Sequence, residues 1–271
     1  MSEQSLRHKA KLKYKTFIFN LCANRNPVYI AFYKYLYKPK KGTLAYMLDK
    51  YSRNTANLTV IQIGANDGFN HDPIVKFIKR DNWNGVLLEP QPYVFDTYLK
   101  KLHQKSDQIH TLNAALNYED GIRSMYNIAF SKSRWATGLS SFDKAVLYDA
   151  IDSGHVALRA KKEGILLPEK REDYIEEVQI ACISPATLLK QYKIEKIDLL
   201  QIDAEGFDYE IIKMMNIAES KPGMIVFEDS HLNAEQLAEC HNLLIANDYE
   251  IRKTSGNAVA IKKALLPKID A

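Results

Sequence analysis

The sequence predicts an α/β fold: a doubly wound, mostly parallel Rossmann-like sheet with a C-terminal antiparallel hairpin and a basic helical N-terminal extension. Three observations carry this. Short apolar, β-branched runs recur from residue 58 onward and several stop at Gly, Glu or Asp. Segments with helical start signals separate them, the order that builds a parallel sheet covered on both faces. The composition, 46% hydrophobic and 26% charged over 271 residues, is globular rather than disordered or fibrous. The length suits one large domain, or one domain with an appendage.

Residues 58–63 form the first buried strand, ended by Gly64. Asp72 and Pro73 open a helix through Arg80, the acid as N-cap and the proline in the first turn. Residues 85–88 are the second strand, closed by Glu89-Pro90; a helix follows over 92–105 and a third strand over 108–115. Glu119-Asp120-Gly121 is a turn, and 122–128 a hairpin arm. Residues 131–177 lose the period of two and hold helical pieces at 143–150 and 155–162; an insertion of this length on such a scaffold is expected to cover substrate. Regularity returns with a strand at 178–183, a helix from Ser184-Pro185 to Tyr192, a strand at 197–202 and a helix at 209–215. A strand at 224–227, a helix at 234–247 and a hairpin of 249–252 with 258–261, joined at Ser255-Gly256-Asn257, complete the pattern.

The net charge of +4 is unevenly placed. Residues 1–50 carry eleven Lys and Arg against Glu3 and Asp49, which is +9 and leaves −5 for the rest. Tyr14, Phe17, Phe19, Tyr29, Phe32, Tyr33, Tyr35 and Tyr37 are interleaved with these bases. The chain therefore divides into an extension, 1–50, with a linker-like stretch at 37–42, and a domain, 51–271. Two readings of the extension stand open: its aromatics pack on the domain while its lysines stay in water, or it contacts an anionic membrane surface or nucleic acid. Cys22, Cys182 and Cys240 are odd in number and far apart, which argues against a disulfide framework or zinc site and for a reducing compartment. No run approaches the ~18 apolar residues of a spanning helix, and no signal-peptide pattern is present. The expected location is the cytoplasm, with peripheral membrane contact under the second of the two readings of the extension.

In open α/β sheets ligands bind outside the carboxyl ends of the strands. The first such end, Gly64-Ala-Asn-Asp-Gly68, is a turn whose glycines allow close backbone approach. The second is Glu89, where a carboxylate suits both hydroxyls of a ribose. The glycines are spaced G-x-x-x-G and no Lys follows Gly68, which excludes the dinucleotide fingerprint and the P-loop. Asp67 and Glu89 set negative charge where a pyrophosphate would sit, so they favour a cationic ligand without phosphate, such as S-adenosylmethionine. The third end is Asp203-Ala204-Glu205-Gly206. Asp203 with Glu228 and Asp229 is a candidate oxygen-ligand set for a divalent ion such as Mg2+; the alternative is that these acids and Ser230 cap helices. His231 is a candidate general base and His155 a second one. Trp135, beside Arg134, either lines an acceptor pocket or anchors packing.

The runs Val60-Ile-Gln-Ile-Gly-Ala-Asn-Asp-Gly68, Leu87-Leu-Glu-Pro90, Asn113-Ala-Ala-Leu116 and Ile197-Asp-Leu-Leu-Gln-Ile-Asp-Ala-Glu-Gly206 resemble, in this order, the FkbM family of S-adenosylmethionine-dependent methyltransferases. The resemblance covers residues 57–262, and Ile-Asp-x-Glu-Gly is its most specific part. It implies that Gly64, Asn66, Asp67 and Gly68 wrap the methionine moiety, that Glu89 holds the ribose, and that Asn113 and Ala114 flank the adenine. Asp203 and Glu205 would lie beside the transferring methyl. The chain departs from the family at Gln62, where an acid is common, and in the long 131–177 segment. The implied reaction is O-methylation of a hydroxyl on a sugar or glycoconjugate. One alternative is a nucleic-acid methyltransferase gripping phosphates with its basic arm; the Asn/Asp-Pro-Pro-aromatic element of base methyltransferases is missing, which makes nucleic acid a poor partner. The other is a non-catalytic binding protein on the same fold, against which the intact Asp67, Glu89 and Asp203 speak.

Overall fold

The computed structural model describes residues 3–230, 232–254 and 256–270. Its strands are β1 (Thr59–Ile63), β2 (Asn84–Leu88), β3 (Ile109–Leu112), β4 (Ala115–Leu116), β5 (Gly121–Ile128), β6 (Ile175–Ile183), β7 (Leu199–Ile202), β8 (Met224–Phe227), β9 (Tyr249–Lys253) and β10 (Ala258–Lys262). Seven form one sheet in the order β3-β2-β1-β7-β8-β10-β9, parallel except for β10, which runs antiparallel to β8 and β9. The predicted doubly wound sheet and terminal hairpin are both present, although Ser255 of the hairpin turn lies outside the described residues.

The strands read as continuous apolar runs because both faces are buried. Ile61, Ile63, Val86, Leu88, Leu200 and Ile202 fill one layer, while their neighbours Val60, Leu87, Leu199 and Val226 fill the other. The helices that matter below are α1 (Glu3–Ala23), α2 (Pro27–Ala31), α3 (Leu44–Arg53), α4 (Val75–Asp81), α5 (Arg134–Thr137), α6 (Lys144–Asp152), α7 (His155–Glu163), α8 (Pro185–Gln191), α9 (Asp208–Met214) and α10 (Ala234–Ala246). Ser184 caps α8 as expected, its Oγ accepting the Thr187 N–H at 3.3 Å.

Four expectations are corrected. The third strand stops at Leu112 rather than Ala115, because the Asn113 side chain donates to the carbonyls of Glu89 and Pro90 and turns the chain out of the sheet. Ala115 and Leu116 then join a second sheet, β4-β6-β5, in which β5 and β6 pair along their length from Gly121↔Cys182 to Ile128↔Ile175. The 178–183 run thus belongs to this smaller sheet, and α5, α6 and α7 all lie on the connection between its two long strands. Asp72 accepts the N–H groups of Ile74 and Val75, but the helix begins only at Val75. The acids before α10 do not cap it; Asn233 and Gln236 do, in a reciprocal capping box.

The N-terminal aromatics divide. Tyr29 is buried with Cys22, Ala23, Val75 and Leu102, and the Phe19 ring meets Phe69 edge-on at 5.5 Å. Tyr14, Phe17, Phe32 and Tyr35 remain exposed. α3, capped by Thr43, buries Met47, Leu48 and Tyr51 in the sheet's second layer. The three cysteines are buried and unbridged. No described helix is long and apolar enough to cross a membrane.

Candidate functional site

The carboxyl ends of β1, β2, β7 and β8 bring together a group of acids. Glu89 is 2% exposed, and its two carboxylate oxygens accept the N–H groups of Asn66 at 2.8 Å and Gln91 at 2.9 Å. Burial pushes its pKa up to about 7 against the pull of these N–H donors, and the charge of Asp203 adds to the rise. Asn66 sits at φ 49°, a left-handed conformation that Asn tolerates through local hydrogen bonds. Its Oδ1 accepts the Asp67 N–H and the Arg134 Nη1–H, each within 3 Å.

At the end of β7, the Asp203 N–H still bonds the Ile63 carbonyl at 3.0 Å, so the β1 and β7 loops leave the sheet together. Gly64 is required by this crossing: a Cβ there would lie 1.9 Å from the Asp203 carbonyl oxygen. Glu205 is also left-handed, at φ 49°, a costly conformation for a residue with a long side chain. Burial first, then the charges of Asp203, Glu228 and Asp208, push its pKa up to about 8, while Arg134 opposes the rise. Asp208 is fully buried and accepts the N–H groups of Ala204 at 3.2 Å and Glu228 at 2.9 Å, stitching the β7 loop to the β8 loop. Its pKa rises to about 7, chiefly through burial.

The other expected site residues fall as follows. The Asp67 carboxylate accepts the N–H groups of Phe69 and Asn70 and the Asn70 amide, so it holds its own loop as well as facing Arg134 at 3.4 Å. Gly68 lies against Leu99 and Leu102, which makes it a packing position beneath the loop. Asn113 ties the β2 end, and Ala114 is in the core beside it. Gln62 is buried and donates to Asp72 at 2.7 Å. Of the expected metal set Asp203, Glu228 and Asp229, the last pairs with the Lys253 ammonium, and among the described residues no group of three potential ligands is gathered that could hold an ion. His231 lies outside the described residues. His155 is an exposed residue opening α7. Trp135 is a packing anchor; its Nε1–H donates to Glu163 at 3.1 Å and its ring lies near Phe130.

The sequence analysis expected residues 131–177 to cover substrate, but not which residues of that segment would meet the strand-end loops. α5 reaches three of the loops: Arg134 bonds Asn66, the Thr137 carbonyl accepts from Gln91 Nε2 at 2.9 Å, and a Cβ on Gly138 would stand 3.6 Å from the Glu205 Oε1. Beside it opens a cavity of about 260 Å³, lined among others by Gln91, Tyr93, Asn127, Lys132 and Glu176. Arg134-Trp135 carried a signal only as a charged and an aromatic residue within an irregular segment.

Three comparisons place this arrangement among known proteins. The model of the methyltransferase FkbM domain matches residues 62–251. A search of curated proteins found no match. Among solved structures, the methyltransferase FkbM of Methylobacillus flagellatus is similar at 12% identity and a TM-score of 0.44, over 93% of this chain and 60% of that one. The present chain thus spans well under two thirds of that protein's length. An O-methyltransferase from Bacillus cereus in complex with SAH is similar at 11% identity and TM-score 0.42, over 90% and 91% of the two chains. The SAH-bound methyltransferase PaMTH1 of Podospora anserina aligns at 10% identity and TM-score 0.43, over 97% of each. With its acid-lined strand ends, its Ile-Asp-Ala-Glu-Gly turn and a family match over most of its length, the chain belongs to the methyltransferase FkbM domain family.

Proposed function

We propose that the protein transfers a methyl group from S-adenosylmethionine to a hydroxyl oxygen of a sugar or glycoconjugate. The observation that carries this is the group of carboxyls at the strand ends. Glu89 and Asp208 are buried and Glu205 is partly so; burial first, and the charge of Asp203 in each case, raises their pKa values, which makes a site that gains from a ligand with positive charge and no phosphate. Bound there, S-adenosylmethionine supplies an electrophilic methyl on a cationic sulfur.

The chain's own groups fit that ligand. The Glu89 carboxylate accepts two backbone N–H groups and the Gln91 side chain, and its remaining acceptor capacity suits ribose hydroxyls. Asp203 and Glu205 supply negative charge beside the sulfonium. Glu205, with a pKa pushed toward neutrality, is suited to take the acceptor's hydroxyl proton as the new carbon–oxygen bond forms. Asp208 holds the β7 and β8 loops at fixed spacing. α5 shields these groups from water. In the adjoining cavity Lys132 and Glu176 pair with each other at 2.8 Å and Asn127 can accept, a mixture that suits hydroxyls, which both donate and accept. The hydroxyl and glycan classes follow from the family resemblance. No metal takes part in this reading.

The test is calorimetric titration with S-adenosylmethionine, S-adenosylhomocysteine and, as control, NAD, followed by a methyl-transfer screen of glycans against RNA. Binding of the first two is expected, with Glu89→Ala weakening it by roughly 1.5–3 kcal/mol. Failure of both to bind would sink the methyltransferase reading. Methylation of RNA with no glycan acceptor would replace the acceptor class.

A further inference from the structure

One apolar face of the N-terminal extension is exposed. The chain is helical from Pro27 to Ala31 and continues as a π-helical turn, Phe32–Leu36. Tyr29 and Tyr33 face inward, onto Cys22 and Val75. Val28, Phe32, Tyr35 and Leu36 point the other way, 75%, 47%, 69% and 70% exposed, at a spacing of three to four residues that places them on one side. Leu12, Tyr14 and Phe17 are likewise exposed on α1. A surface helix ordinarily buries one apolar face and shows water a polar one, whereas this segment is apolar on both.

Lysines frame that face. Lys34, Lys38 and Lys40 lie along and just after it, and Lys11, Lys13 and Lys15 run along α1; no ion pair between described residues involves any of the six. We infer that this face docks on an anionic lipid surface, with Val28, Phe32, Tyr35 and Leu36 entering the headgroup region and the lysines meeting the lipid phosphates. A second copy is a poorer occupant, since two such faces brought together set like charges against each other. Nucleic acid would engage the lysines and could stack on the aromatics, but offers nothing to Val28 and Leu36. The acceptor would then be met at the membrane, although the docking itself does not depend on the catalytic reading.

The test is cosedimentation of the full chain with phosphatidylcholine vesicles, with and without phosphatidylglycerol, at low and high salt. Binding is expected only to the anionic vesicles and should weaken with salt. Replacing Lys34, Lys38 and Lys40 by Gln should lower affinity about a hundredfold, at roughly fivefold per lysine. Phe32→Ser with Leu36→Ser should lower it at least about tenfold. All five positions are exposed, so circular dichroism and the urea midpoint should stay as in the parent chain. Phe32→Trp should be quenched by brominated lipid. The inference is overturned if the parent chain ignores anionic vesicles, or if neither set of substitutions weakens binding. It is also overturned if light scattering shows a dimer that Phe32→Ser with Leu36→Ser dissolves while vesicle binding is absent, or if the chain binds RNA but not lipid.

Discussion

The two ends of the one sheet make an instructive pair. At the amino ends of the strands lies a cavity of about 400 Å³, larger than the one beside α5, lined by Asp107, His110, Tyr192 and Lys196 among others. Its neighbouring buried acid, Asp198, is satisfied: the carboxylate accepts the Thr59 N–H at 3.0 Å and pairs with Lys196, and the Tyr51 hydroxyl donates to its carbonyl. At the carboxyl ends, burial and the charge of Asp203 raise the pKa of Glu89, Glu205 and Asp208, Arg134 opposes the rise at Glu205, and two non-glycine residues are held left-handed. The larger volume is at one end and the acids with raised pKa at the other. Charge that folding has gathered against its own preference, rather than space, marks where a ligand repays the arrangement.

The comparison is put under the greatest strain by two glycines, one at each end. A Cβ at Gly85 would stand 1.8 Å from the Val60 carbonyl oxygen, and one at Gly64 would stand 1.9 Å from that of Asp203. Both residues also have positive φ, 142° and 75°. Gly85→Ala and Gly64→Ala should each cost about 3–5 kcal/mol or prevent folding, read as the midpoint of urea unfolding. What separates the ends is the folded remainder. Gly85→Ala should keep the parent's S-adenosylhomocysteine affinity per folded molecule, whereas Gly64→Ala should lose it through displacement of Asp203. Equal affinity in the two variants would mean that the carboxyl end is no more sensitive than its opposite.

How much of this was legible depends on the range of the interactions. The strand runs at 58–63 and 197–202, the Ser184 cap and the terminal hairpin could be read because period, capping and turn chemistry are local. The departure of Ala115 from the main sheet could not, because it turns on Asn113 reaching two carbonyls more than twenty residues earlier. Within the site, Glu89 and Glu205 were found by position at strand ends. Asp208 was not singled out as a site residue, since its partners Ala204 and Glu228 converge only once β7 and β8 pair. Arg134 was noted only as the neighbour of Trp135 for the same reason: its contact with Asn66 joins residues 68 apart in the chain. The pairing of Lys253 with Asp229 is long-range in the same way, since the lysine reaches it from β9.

A smaller effect sharpens the contrast through pH. An acid whose folded pKa lies above its unfolded value favours the folded state while protonated and loses that contribution as pH rises. For Glu205 the window runs from its ordinary value of 4.5 to about 8, and for Glu89 from 4.5 to about 7. The parent chain should therefore lose stability between pH 5 and 8, on the order of 1–3 kcal/mol from Glu205. Glu205→Gln should flatten that loss, so that unfolding at pH 8 needs more urea than in the parent, while turnover falls by roughly 10²–10⁴. At the opposite end Asp198→Asn should act the other way and lower stability by about 1–2 kcal/mol, because it weakens bonds that are already made. An unchanged pH slope in Glu205→Gln would remove that carboxyl from the strained group.

The smallest effect on stability concerns α5, the cover that the amino end lacks. The Arg134 side chain is more than a third exposed, and its pairing with Asp67 is correspondingly screened, so Arg134→Gln should alter unfolding by less than about 1 kcal/mol. Its role lies in joining the cover to the β1 loop through Asn66 while Trp135 fixes the same helix to Glu163 of α7. Cutting the first tie and keeping the second should let α5 lift without unfolding. S-adenosylhomocysteine should then leave about tenfold faster, equivalent to 1.4 kcal/mol, in stopped-flow experiments that use the neighbouring Trp135 as reporter. An unchanged release rate would show that the helix only rests on the site, and that the shielding of Glu205 comes from the strand-end loops themselves.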